Sequence, residues 1–174
     1  MTKSNIKKIY HNFIHAFPLL FLFFLVFTGF DLSFFLFENS YSFNFVYVLI
    51  FYWILKEPDR LGYGLIFLSG IINDVVQNFP IGISSINYLF LCAIAAFIRT
   101  RTLMPSLLYD WIFFLIAILI VSSVNFTILT LIFEYPIKYG TLMLSSFTTF
   151  LIYPALSELF NKLIEIETRQ ENAK

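Results

Sequence analysis

GIINDVVQNFPIG, residues Gly70–Gly82, decides how the whole chain is read. A carboxylate, Asp74, and three amides, Asn73, Gln77 and Asn78, sit between two apolar runs. Pro80 and Gly82 break the chain directly after them. Polar groups of this kind are ordinary in a soluble turn. Here they are costly, because the rest of the chain avoids such groups.

The 174 residues are 59% hydrophobic, 21% aromatic and only 13% charged, with 24 phenylalanines. A soluble domain is about one quarter charged. A soluble fold of this length has no interior large enough for so much apolar surface, so lipid is the solvent for most of it. The expected class is all-α, a single polytopic membrane domain over residues 1–174. The net charge is zero, which removes a basic surface for nucleic acid. Cys92 is the sole cysteine, so an internal disulfide and a cysteine metal site are excluded. It reads as a small packing residue. No cofactor is expected.

Charges and breakers divide the chain into apolar segments near 12–35, 41–55, 61–77, 82–98, 107–132 and 139–160. A helix needs about 20 residues, within about 17–25, to cross the hydrocarbon. The second and third are short. They thin the bilayer, lean on neighbours or, for the second, turn back as a re-entrant hairpin. Charge bias separates these possibilities. With six crossings and both termini cytoplasmic, ten of the eleven basic residues fall inside, and only Lys138 falls outside. Asp31 and Glu38 also fall outside. If the second segment failed to cross, Arg99 and Arg101 would face the wrong side. The first apolar run is too long for a signal peptide and lacks a small-residue cleavage site, so it reads as a retained anchor.

In this frame the third and fourth segments form a hairpin that turns at the outer surface. Gly70 and Asp74, four residues apart, share a helix face, and Gly62 extends it two turns earlier. Cys92, Ala93, Ala95 and Ala96 supply small residues on the facing helix, which lets the two backbones approach. Asp74 lies near the outer end of its span, where a charge costs less than at the bilayer centre. Ser84 and Ser85 open the fourth helix, whose first amides lack partners. Asp74 can accept from them, with Asn73, Gln77, Asn78 and Asn87 closing a polar clasp. The competing reading is an intramembrane acid that binds a cation or passes a proton. No second buried acid is expected beside it, which favours the clasp.

Other polar residues receive plainer readings. His11 and His15 are four apart but lack a third ligand, so they read as interfacial. Asp110, between Tyr109 and Trp111, reads as a solvated acid in an aromatic belt. Glu134, with Tyr135, Pro136 and Lys138, reads as an outer loop. Asn125-Phe126-Thr127 has the form of a glycosylation sequon but lies inside a span. Pro154 is expected to bend or loosen the last helix. Beyond it, Leu156, Leu159, Phe160 and Leu163 make an amphipathic stripe, and residues 161–174 read as a cytoplasmic tail. That tail is either a solvated helix end or a docking surface. No nucleophile, base and orienting group come together, so no enzyme is expected.

The pattern G-x3-D-x5-P-x-G, carried by Gly70, Asp74, Pro80 and Gly82 and followed by a Leu/Ala-rich span ending in Arg99, resembles the rod shape-determining protein MreD family of bacteria. The layout of spans and Pro154 in the final helix are also similar. The outer turn, QNFP, departs from the small residues commoner in that family, and the first half is richer in phenylalanine. The resemblance implies a non-catalytic scaffold of the bacterial inner membrane that serves side-wall elongation and peptidoglycan synthesis. It also implies a bitopic MreC-like partner, with actin-like MreB, a RodA-type polymerase and a class B penicillin-binding protein nearby. The fold it implies is similar to the substrate component of energy-coupling-factor vitamin transporters. A vitamin-capture subunit is therefore the alternative function. Its docking stripe of small residues is missing from the first helix, where Ala16 stands alone among bulky residues.

Overall fold

The computed structural model describes residues 3–29, 32–36, 39–101, 106–134 and 139–172. Expectations that fall on Asp31, Glu38, Tyr135, Pro136, Lys138 and Lys174, and on the side chains of His11, His15 and the N-terminal lysines, lie outside the described residues. The described chain is almost entirely helical: α1 (Lys3–Thr28), α2 (Phe45–Lys56), α3 (Tyr63–Gln77), α4 (Ile83–Arg101), α5 (Leu107–Leu131) and α6 (Tyr139–Asn172).

The all-α expectation needs one correction. Between α1 and α2 lie two antiparallel strands, β1 (Leu32–Leu36) and β2 (Asn39–Phe43), with Leu32 opposite Phe43 and Leu36 opposite Asn39. The first apolar helix therefore stops at Thr28 rather than near residue 35. Gly29, at φ +56°, ends it and returns its N–H to the Val26 carbonyl at 3.2 Å. The hairpin takes residues assigned above to both the first and the second segment.

What remains for α2 is 12 residues, about 18 Å of helix. That is well short of an approximately 30 Å hydrocarbon core. Yet every residue from Val46 to Leu55 is buried. A helix that is apolar all round belongs inside a bundle. α2 is the central element, walled by protein rather than lipid, so its length need not match the bilayer. Of the readings offered for this short segment, leaning on neighbours is the one that describes its surroundings. Pro58 stops it, because the residue before a proline is pushed out of the helical region. Glu57 accordingly sits at φ −144°, ψ 74°.

Aromatic rings carried by α2 fill the bundle. Phe51 lies 5.1 Å from Phe114 of α5 and 6.0 Å from Tyr153 of α6, and those two rings stack at 4.4 Å. Tyr52 packs on Phe160 at 5.1 Å and donates its hydroxyl to Asn161 Oδ1 at 2.6 Å. The outside of the bundle is apolar too. Phe24 and Phe27 of α1, Val75 of α3, Phe97 of α4, Leu108 of α5 and Leu151 of α6 are all exposed. Among the described residues, three helices are long and apolar enough to cross a membrane: Ile83–Arg101, Leu107–Leu131 and Tyr139–Ile166. Ala16–Thr28, α2 and α3 are shorter apolar helices.

At one end of the bundle Lys56, in the last turn of α2, pairs with Asp110, in the first turn of α5, at 2.7 Å. Each charge sits at the helix end whose dipole favours it. Asp110 is 3% exposed. It is thus a buried ion-pair partner, not the solvated acid expected from its Tyr-Asp-Trp setting.

α6 runs unbroken through Pro154 to Asn172, so residues 161–172 continue the last helix rather than form a separate element. A proline has no N–H, which deprives the carbonyl four residues earlier of its helical partner. That carbonyl belongs to Phe150, and it accepts the indole N–H of Trp111 at 2.9 Å. The Trp111 ring also stacks on the Phe150 ring at 4.8 Å. The proline gap and the tryptophan are complementary. Trp111→Phe should therefore destabilise the protein by about 1–3 kcal/mol, the cost of an orphaned buried acceptor. Adding Pro154→Ala should recover much of this, because the alanine's own N–H then serves the Phe150 carbonyl. Unfolding of the purified variants in detergent measures both; equal losses in the single and double variants would contradict the pairing.

Candidate functional site

The α3–α4 hairpin is the best-defined polar feature of the fold. The buried stripe of α3 is Ile66, Ser69, Gly70 and Asp74. At Gly70 the two helices meet backbone to backbone. A Cβ built there would come within 2.5 Å of the Ser85 amide nitrogen and 2.7 Å of its Oγ. Only glycine fits. Ser85 sends its hydroxyl back across the seam to the Phe67 carbonyl at 2.9 Å.

Asp74 is fully buried, and its carboxylate caps α4 from the preceding helix. Gly82 N–H donates to Oδ2 at 2.7 Å and Ser84 N–H donates to Oδ1 at 3.0 Å. These amides open α4 and have no acceptor within it. A negative charge there also suits the positive end of the helix dipole. Gly82 sits at φ +104°, which disfavours any side chain. Asn73 Nδ2 donates to Ser84 Oγ at 2.9 Å, a second cross-link. Asn78 ends α3 in the left-handed region at φ 55°, a position asparagine tolerates. In the turn, Pro80 contributes its carbonyl, which accepts from Ile83 N–H at 3.4 Å.

The remaining small residues sort differently. Cys92 and Ala95 are buried and Ala96 is half-buried, but Ala93 is exposed and takes no part in the helix contact. It lies one position beyond the buried face that Leu91, Cys92 and Ala95 define. Gly62 is not on the α3 stripe either. It precedes the helix as its N-cap, at φ +67°. Glu134 follows α5 with φ 50° and is exposed.

Beside the clasp lies a cavity of about 250 Å³. Its walls come from all six helices, always near the same rim of the bundle. Gly29 follows α1, Asn44 precedes α2, Gln77 ends α3, Ser84 opens α4, Asn125 lies late in α5 and Ser145 early in α6. Successive helices thus alternate in direction. The same alternation brings five amides, Asn44, Asn73, Gln77, Asn87 and Asn125, onto one cavity. Asn87 was expected in the clasp, but its Oδ1 is buried with no hydrogen-bond donor among the described residues, and so is Asn125 Oδ1. Among the described residues no Asp, Glu, Lys, Arg or His lines this cavity. Among the described residues no three His, Cys, Asp or Glu side chains gather as a metal site.

The reading from sequence did not anticipate Asn44, Asn125 or Ser145 as neighbours of the hairpin. It also missed a polar seam between α5 and α6, where Ser122 Oγ and Ser146 Oγ meet at 2.7 Å. A separate four-residue repeat of Ser145, Thr149, Tyr153 and Ser157 is buried on one face of α6, where Thr149 Oγ1 accepts from the Asn44 N–H at 3.2 Å.

No family model matches the chain, and no curated protein and no solved structure matches it either.

The clasp makes a quantitative prediction. Gly70→Ala should force α3 and α4 apart and cost about 1–3 kcal/mol, the usual range for overpacking. Asp74→Ala should cost about 1–2 kcal/mol through loss of the cap. Asp74→Asn, which keeps one acceptor, should cost less. Thermal unfolding of the detergent-solubilised variants ranks them, and an Asp74→Ala variant as stable as the parent would contradict the capping role.

Proposed function

We propose that this chain is a non-catalytic scaffold of the bacterial inner membrane, acting in side-wall elongation by holding an MreC-like bitopic partner. MreB, a RodA-type polymerase and a class B penicillin-binding protein are the wider assembly. In this reading all six helices cross and both termini are cytoplasmic. Two things support that orientation: the alternating helix directions, and the gathering of Lys56, Arg60, Arg99 and Arg101 near the rim opposite the amides.

The observation that carries the reading is the α3–α4 hairpin. The residues of the family-like pattern each have a distinct structural job there: Gly70 admits the helix contact, Asp74 caps, and Pro80 and Gly82 shape the turn. A hairpin stiffened this way holds a fixed apolar surface, with Leu68 and Val75 on one helix and Ile86 and Phe90 on the other, all exposed. In lipid there is no hydrophobic force between helices, so a partner helix must be bound by shape and packing. A rigid surface is what such binding requires.

Depletion of the protein in its host, followed by microscopy of cell width, tests the role. Rods should swell toward spheres, and Asp74→Ala at equal protein level should lower recovery of the MreC-like partner. Cells that keep their shape but starve for a vitamin would instead favour a substrate-capture subunit of a vitamin transporter.

A further inference from the structure

We propose that the amide-lined cavity is a binding site for a small, uncharged, ring-shaped molecule rich in O–H and N–H donors. Three observations converge on it. The first is the pair of unpaired acceptors. Asn87 is 2% exposed, yet none of the described residues donates to its Oδ1, and Asn125 Oδ1 on the same cavity is in the same state. A buried acceptor without a donor destabilises the fold that contains it. Two of them on one cavity mark groups held for something that enters.

The second observation is the absence of charge. Among the described residues no Asp, Glu, Lys, Arg or His lines the cavity, and Asp74, from the same end of α3, has both carboxylate oxygens engaged by the Gly82 and Ser84 amides. An ion entering this site would lose its hydration without gaining a counter-charge. The site therefore selects neutral molecules. The third observation is size and shape. About 250 Å³ lies just under the range of drug-sized pockets, about 300 Å³ upward, and suits a monosaccharide or a nucleoside. Tyr47 and Tyr88, edge to face at 5.9 Å, supply aromatic wall against which a ring can lie. The cavity is separate from the outer apolar surface of the hairpin, so occupancy and partner binding are independent tests.

The experiment is thermal unfolding of the full chain in lipid nanodiscs with glucose or uridine at millimolar concentration, and with glucose 6-phosphate and uridine monophosphate as charged counterparts. At about ten times its dissociation constant, a neutral probe should raise Tm by roughly 3–6 °C. The phosphorylated forms should do nothing. Asn87→Leu should abolish the shift while leaving the unliganded Tm equal or higher, because it removes an orphaned acceptor. Should that variant fail to fold, Asn125→Ser is the deciding one and should at least halve the shift. A cavity that is merely hydrated gives no shift with either neutral probe, and that result overturns the proposal. Equal shifts from the charged forms would also overturn it, as would a shift that survives Asn87→Leu.

Discussion

Hydrocarbon offers no hydrogen bonds, and the rest of this fold depends on how the chain meets that constraint. Every helix end or gap placed within the bundle must be served by protein. Asp74 serves the first amides of α4 from a neighbouring helix. Trp111 serves the Phe150 carbonyl that Pro154 leaves bare. Asn78 closes α3 through a left-handed turn whose next residue, Phe79, returns its N–H to the Asp74 carbonyl at 2.9 Å. Each repair comes from a residue whose chemistry would be unexceptional in water. In lipid the same bonds also determine which helices are neighbours, because a cap from α3 is useful only if α4 begins beside it.

The same solvent explains the place of α2. In water a ten-residue run of buried apolar side chains would be the main source of stability. Against a lipid reference, burial of such residues gains only the difference between protein packing and lipid packing. Its value is geometric instead. A short helix surrounded by longer ones brings Phe51, Tyr52 and Trp53 to the level of Phe114, Tyr153 and Phe160, and the rings interlock. The Lys56–Asp110 pair then ties its end to α5. An ion pair at that depth is worth little as net stabilisation, but it is costly to misplace. It therefore specifies register more than it adds strength.

The six helices and the hairpin chemistry were legible because they rest on local signals. Apolar length, the breakers Pro80 and Gly82, and the spacing of Gly70 and Asp74 are all read within a few residues. The β1–β2 hairpin was not, because phenylalanine suits a strand and a membrane helix alike. The serines at 33, 40 and 42 were the available hint. Asp110 was misread because its partner lies more than fifty residues away. Ala93 was misassigned by one helical position, which composition alone cannot separate from Cys92. The five amides were legible in principle. Once helices alternate, Asn44, Asn73, Gln77, Asn87 and Asn125 all fall near one rim, and only their meeting on one cavity needed three dimensions.

The two ends of the bundle differ in the kind of polar group they carry, ion pairs at one and amides at the other. At the charged rim Lys56 pairs with Asp110, Tyr52 with Asn161, and Arg60 with Glu57 while it lies over the Trp53 ring at 5.1 Å, although Trp53 Nε1 and Tyr153 OH stay buried without partners among the described residues. At the amide rim the carboxylate is fully spent on the backbone, yet Asn87 and Asn125 keep acceptors in reserve. Had stability alone shaped this rim, leucine at either position would fill space without cost in so apolar a chain. In the proposed reading, a rigid hairpin bordering such a cavity is both a wall for a ligand and a platform for a neighbouring helix, one face of α3 and α4 for each.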